Sequence, residues 1–292
     1  MAIVLALLIV GFALANPSFA TPGNLANLLV QSTLLTLLAL PMTLIIMTEG
    51  LDLSIGAVLT LASIALALTV VATGSAALGV LAGLGVGLAF GLVNGWLVTA
   101  LNLPPFIATL GTLGIAQGLS LVVTDGQSVV GIPATIGRVY SGTVVGVPVP
   151  IILAAVTYGV VHLLLYRTRF GVAVFALGGN REALRLAGVS DRAMLVAVYA
   201  LSGLIAGFAA LLMTARLNAA HPTAGIGLEF DAIAAVAVGG TSFERGNGWL
   251  FGSLLGVIAV GVLRNVPSSA QVACIGALVI LALFIDSLRS RA

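Results

Sequence analysis

From Met1 to Thr48 the chain carries no Asp, Glu, Lys or Arg, and over all 292 residues 7% are charged against 60% hydrophobic. Soluble domains are near a quarter charged, whereas about 20 consecutive apolar residues suffice for a helix to cross a bilayer. In lipid, each crossing segment must satisfy its own backbone hydrogen bonds. The expected fold class is therefore an all-α polytopic membrane protein, one transmembrane domain over residues 1–292 with about ten helices, some short or broken.

Gly, Pro, Asn and Asp punctuation divides the chain. Residues 1–15 are wholly apolar; although Ala13 and Ala15 resemble a cleavage site, no basic residue precedes the run, and it reads as a first spanning helix with a shortened leader. A short outer loop with Pro17, Pro22 and Gly23 follows. Crossings are expected at 25–48, 53–71, 78–98, 105–123, 151–166 and 193–217. A shorter Gly-broken piece at 228–240 precedes two more crossings at 249–263 and 271–288. Residues 125–150, rich in Gly, Pro and Val, read as an extracellular loop with short extended pieces. Residues 167–192 read as a cytoplasmic loop.

The basic residues set the orientation, because Lys and Arg accumulate in cytoplasmic loops. With both termini cytoplasmic, Arg167, Arg169, Arg181, Arg185, Arg192, Arg245, Arg289 and Arg291 lie inside, leaving Arg138, Arg216 and Arg264 outside. The reversed topology inverts that ratio.

All eleven basic residues are Arg. Without Lys there is neither a Walker A loop nor a Schiff base, so nucleotide energy has to come from a partner and no cofactor is expected in this chain. Cys274 is a single thiol in an apolar run, and His162 and His221 are too isolated for a metal site. The scattered arginines form no basic face for nucleic acid. No GxSxG, HExxH or pair of catalytic carboxylates argues for an intramembrane enzyme.

Glycines recur every four residues at Gly79, Gly83, Gly87, Gly91 and Gly95, with shorter versions at Gly114 and Gly118, Gly203 and Gly207, and Gly252 and Gly256. Such stripes let helix backbones approach closely, so the expectation is packing within one bundle. The string TEGLDLSIGA, 48–57, places Glu49 and Asp52 between two apolar runs; Asp52 is expected to cap a helix beginning at Leu53, and a break there offers free backbone groups to a polar solute. GIGLEFDAIAAVAVGGTSFERG, 225–246, repeats the theme with Glu229 and Asp231. In the cytoplasmic segment, residues 181–186 look helical, preceded by Gly178 and Gly179 and ended by Gly188. His162 reads as an interfacial residue, and His221 is assigned no role.

The strings GLDLSIGAVLTLAS, NLPPFIATLGTLGIAQGLSLVVTDGQ, TRFGVAVFALGGNREALRLAGVS and PTAGIGLEFDAIAAVAVGGTSFERGNGWLFGSLLGVIAVGVLRN closely resemble the permease subunits of ribose-, xylose- and galactose-type bacterial ABC importers, from about Phe19 to the C-terminus. The resemblance implies a multi-pass plasma-membrane permease that pairs with a second permease chain, identical or related. It also implies an ABC ATPase subunit, which holds ATP and Mg, and an extracytoplasmic sugar-binding protein. Gly179, Asn180, Glu182, Ala183, Arg185 and Gly188 then look like the element that couples to the ATPase. Leu184 stands where the family commonly has Ala, and the leader and the 264–271 connection are shorter than usual. Glu49, Asp52, Ser54, Asn94, Thr109 and Gln117 are the candidates for a translocation path. A second reading, an ion-gradient-driven secondary transporter, would use the breaks at 49–54 and 229–231 as its site.

Overall fold

A computed structural model of the chain describes residues 2–15, 18–242, 246–264, 271, 273, 276, 277 and 280. The elements are α1 (Ala2–Ala15), α2 (Pro22–Met47), α3 (Ile55–Thr73), α4 (Ala76–Ala100), α5 (Pro105–Thr124), α6 (Ala134–Ser141), β1 (Thr143–Val144), β2 (Val147–Pro148), α7 (Val149–Arg167), α8 (Arg169–Gly179), α9 (Arg181–Leu186), α10 (Asp191–Leu217), α11 (Leu228–Val238) and α12 (Leu250–Leu263). Six of these, α2, α3, α4, α5, α7 and α10, are long and apolar enough to cross a membrane. The expected crossing at 271–288 falls mostly outside the described residues, as do Arg245, Arg289 and Arg291.

Local chemistry sets the boundaries. Thr21 caps α2 by accepting from Asn24 N, with Pro22 in the first turn. Gly74, at φ 70°, ends α3, and Ser75 caps α4 one residue later. At 26 residues, α2 rises about 39 Å. It runs buried through the middle of the bundle from Ser32 to Met47.

The glycine stripe of α4 lies against α10. A methyl on Gly87 would overlap the Gly203 carbonyl oxygen and sit 2.8 Å from Gly207 N, and one on Gly95 would sit 2.7 Å from Val196 Cα. The reciprocal holds, since a methyl on Gly207 would meet the Gly83 carbonyl at 2.6 Å. Gly91 faces the Tyr199 carbonyl, and Gly79 turns to Val70 and Leu66 of α3. These two helices touch backbone to backbone, the contact that small residues permit where lipid supplies no hydrophobic drive. Gly252 and Gly256 make a similar seam with Gly239 and Ala235 of α11. Gly114 and Gly118 do not: among the described residues nothing lies within 4 Å of a methyl at either.

Two segments expected to be loops contain helices. Residues 125–150 hold α6 and the two-residue hairpin β1–β2, in which Thr143 pairs with Pro148. Ile136 of α6 is buried against Val70 and Ala215, an anchoring contact too short for periodicity to signal. Residues 169–179, read as hydrophilic loop, form α8; Ala173, Val174 and Leu177 are buried along one side. The flanking arginines masked this amphipathic stretch.

Candidate functional site

Residues 48–54 interrupt the path from α2 to α3. Glu49 adopts φ 60°, and α3 starts at Ile55 rather than at Leu53. Asp52 still serves that helix start, but its partner is Ser54: Asp52 Oδ1 accepts from Ser54 N at 2.9 Å and from Ser54 Oγ at 2.6 Å. Asp52 Oδ2 accepts from Ser202 Oγ of α10 at 3.1 Å. Asn94 of α4 donates from Nδ2 to Ser54 Oγ at 2.8 Å, and Thr112 of α5 donates to Asn94 Oδ1 at 2.6 Å. Thr109 accepts from Leu53 N at 3.1 Å, and its hydroxyl reaches the Pro105 carbonyl at 2.9 Å and that of Leu51 at 3.2 Å. Tyr199 donates to the same Leu51 carbonyl at 3.4 Å.

Asp52, Ser54, Asn94, Thr109, Thr112 and Ser202 are all buried. Their donors point from Thr112 through Asn94 and Ser54 to Asp52, so the polar groups satisfy one another without a charged partner. The arrangement ties the break to α4, α5 and α10.

A second interruption, 218–227, meets the first. A methyl on Gly56 would overlap both Glu229 Oε2 and the Gly225 carbonyl, and Gly225 N donates to Thr60 Oγ1 at 2.9 Å. Glu229 is 4% exposed; its Oε1 accepts from Gly227 N at 3.1 Å, while Oε2 has no hydrogen-bond partner among the described residues. Glu229 and Asp231, expected at the second break, lie instead in the first turn of α11; the interruption before them touches the start of α3 through Gly56 and Gly225.

Gln117 lies apart from these, donating to the Pro222 carbonyl at 2.8 Å. It holds the 218–224 segment, where Val129 bridges to Ala220 and Ser128 bonds His221 Nδ1. His162 stacks on Tyr158 and meets Tyr166 at a tilt.

At one end of the bundle, the C-termini of α2 and α4 and the N-termini of α5 and α10 meet α9 around a cavity of about 340 Å³. Its lining includes Glu49, Arg181, Arg185, Asp191 and Arg192. Asn180 caps α9 by accepting from Ala183 N at 2.9 Å, and Gly188 turns the chain out of it at φ 77°. Arg185 pairs with Asp191 at 2.6 Å, which raises the arginine's pKa above its ordinary value, first by hydrogen bonding and then by charge. Glu182, Ala183 and Gly179 are exposed. Leu184 turns the other way, 5% exposed among Ala173, Leu177 and Leu195. It packs α9 onto the bundle and presents nothing outward.

Arg181, absent from the sequence-level candidates, makes the connection between α9 and the break. Its Nη2 donates to the Thr48 carbonyl at 3.0 Å and lies 3.7 Å from Glu49 Oε2, while Nε donates to the Leu177 carbonyl at 3.2 Å. Beside it, a methyl on Gly178 would overlap the Met47 carbonyl. Arg181, Tyr199, Thr112 and Ser202 escaped sequence reading because their partners lie far along the chain. Among the described residues, no three His, Cys, Asp or Glu gather as a metal site.

The family described as branched-chain amino acid transport system / permease component matches residues 24–288. The ribose import permease protein RbsC of Bacillus subtilis is 38% identical, covering 97% of this chain and 91% of the relative. The D-allose transport system permease protein AlsC of Escherichia coli is 35% identical over 99% of this chain and 91% of its own length. The L-arabinose ABC transporter permease protein AraH of Azospirillum brasilense is 31% identical over 95% and 84%. No solved structure gives a significant match.

Proposed function

The chain belongs to the branched-chain amino acid transport system / permease component family, and from that premise we propose that it is the membrane permease of an ATP-binding-cassette importer for a monosaccharide or similar polyol. Near-full-length similarity to ribose, allose and arabinose permeases carries this reading. The ion-gradient alternative is not favoured by that kinship. The full assembly comprises two permease chains, ABC ATPase subunits holding ATP and Mg, and an extracytoplasmic sugar-binding protein. Ten crossings with both termini cytoplasmic place the α9 end inside and the α11 N-terminus outside, in a bacterial plasma membrane.

In this assembly Asn180, Glu182, Ala183, Arg185, Gly188 and Gly179 form the face presented to the ATPase. Movement of α9 passes through Arg181 to residues 48–54, and from there through Asp52, Ser54 and Asn94 to α4, α5 and α10. Asp52, Ser54, Asn94 and Thr109 brace the wall of the path, because their hydrogen bonds are already made. Glu49, half exposed at the inner cavity beside Arg181, is the path candidate that faces open space.

The test is uptake in vesicles reconstituted with the native ATPase and binding protein. Glu182→Ala removes an exposed side chain, so transport falls while membrane insertion is unchanged; unaltered uptake refutes the coupling assignment. Accumulation by the permease alone, abolished by an ionophore, would establish the secondary-transport alternative instead.

A further inference from the structure

At the end of the bundle opposite α9, the first turns of α2 and the last turn of α12 enclose a cavity of about 120 Å³. Asn24, Gln31, Ser32 and Arg264 supply its polar lining, with Leu28 and Gly261 beside them. Ser32 is 6% exposed, and among the described residues its Oγ has no hydrogen-bond partner. Hydroxyls within helices ordinarily bond back to a preceding carbonyl. Thr33, Thr36 and Thr43 of the same helix do so, at 2.7, 2.9 and 2.7 Å. Ser32 instead lines the cavity, where a glycine at 261 makes the room: a methyl there would stand 2.5 Å from Ser32 Oγ.

The charge at this site is already balanced. Arg264 Nη2 meets Asp231 Oδ2 of α11 at 2.5 Å, with both side chains about three-quarters buried. What remains to be offered is neutral: an amide at Gln31, the Asn24 side-chain oxygen, whose Nδ2 is committed to the Phe19 carbonyl at 2.9 Å, and the Ser32 hydroxyl. Amides and hydroxyls both donate and accept, as do the hydroxyls of a polyol, while Leu28 offers an apolar surface to its C–H groups. A phosphate or carboxylate would need an unpaired cation, and the one here is paired.

We infer that this cavity is an outer subsite of the permease itself for a neutral polyhydroxylated solute, contacted by Ser32, Gln31 and the Asn24 side-chain oxygen. The inference rests on the importer reading for the solute class and for which end faces outward. The subsite would receive a sugar as it leaves the binding protein, before the inner gate opens.

The experiment uses the permease–ATPase complex in nanodiscs with the binding protein omitted. Saturation-transfer NMR is recorded with D-ribose, D-allose and L-arabinose at millimolar concentration. At least one sugar should show transfer, and Gln31→Leu and Ser32→Val, each alone, should weaken its apparent affinity about tenfold, as loss of a ligand hydrogen bond does. Gly85→Ala, on an open face of α4, serves as the matched control and should retain binding. Absence of transfer from all three sugars overturns the subsite, as does equal binding by wild type and both variants. Native mass spectrometry showing that the two variants alter only retained phospholipid would assign the cavity to a lipid headgroup and likewise overturn it. Uptake by the complete system is measured in parallel: transport without direct binding defeats the subsite alone, whereas no transport of any sugar defeats the importer reading.

Discussion

The Arg181 guanidinium donates to the Thr48 carbonyl at 3.0 Å, across 133 positions of sequence. Thr48 is the residue at which α2 ends and the acidic break begins. A helix C-terminus leaves carbonyls without intrahelical partners, and a cation there meets both the free oxygen and the negative end of the dipole. The side chain that closes α2 therefore belongs to the neighbouring short helix α9, and any displacement of α9 is felt at the break.

Arg181→Ala should lower uptake about five- to tenfold, a range that discounts the charge-assisted bond for the residue's partial exposure. ATP hydrolysis should persist, so the number of ATP consumed per sugar rises. Arg181→Lys, which keeps the charge but loses the second donor to Leu177, should lie between. Vesicle uptake measured together with phosphate release checks this, and an unchanged ratio would show that Arg181 only packs.

Asp52→Ala removes the acceptor for Ser54 N, Ser54 Oγ and Ser202 Oγ at once. A buried donor left unmatched costs about 1–3 kcal/mol, so a substantial drop in melting temperature is expected in detergent. Asp52→Asn should be milder. If Asp52 met solute rather than bracing the wall, transport would change with no loss of stability.

Gly87→Ala forces a methyl into the Gly203 carbonyl, where backbone faces backbone and no side chain can move aside. Overpacking of this kind costs about 1–3 kcal/mol. Gly85→Ala, two residues away with nothing within 4 Å, should be neutral or slightly stabilising through helix propensity. Thermal unfolding of the two variants side by side tests whether the stripe or glycine content as such matters.

Gly56→Ala presses a methyl onto the Glu229 carboxylate and the Gly225 carbonyl, prising apart the two breaks. Loss of both folded yield and uptake is expected. Partial restoration of folded yield by Glu229→Ala in the same chain would locate the clash at the carboxylate, whereas no restoration would place it at the Gly225 backbone.

The apolar runs and their Gly and Pro punctuation located α2, α3, α4, α5, α7 and α10 to within three residues at each end. In lipid that reading works because each helix must satisfy its own backbone within its own segment, so span length is written locally. The four-residue glycine period likewise announced close packing by α4. It did not say against what: Gly83, Gly87, Gly91 and Gly95 meet α10, whereas Gly114 and Gly118 on α5 meet nothing among the described residues. α8 and α6 were missed because flanking arginines, or a loop rich in Gly and Pro, obscured short amphipathic stretches.

The residues alone establish that this is a membrane protein, that its eleven basic residues include no lysine, and that Glu49 and Asp52 interrupt two apolar runs. The folded arrangement is what shows that Asp52 turns its oxygens to Ser54 and Ser202, that the 218–227 interruption meets the start of α3 at Gly56, and that Arg181 rather than Arg185 reaches α2. Helix spans follow from contacts a few residues apart. The pairing of buried polar groups depends on which helices lie side by side and how each is rotated, and neither property is carried by any single segment.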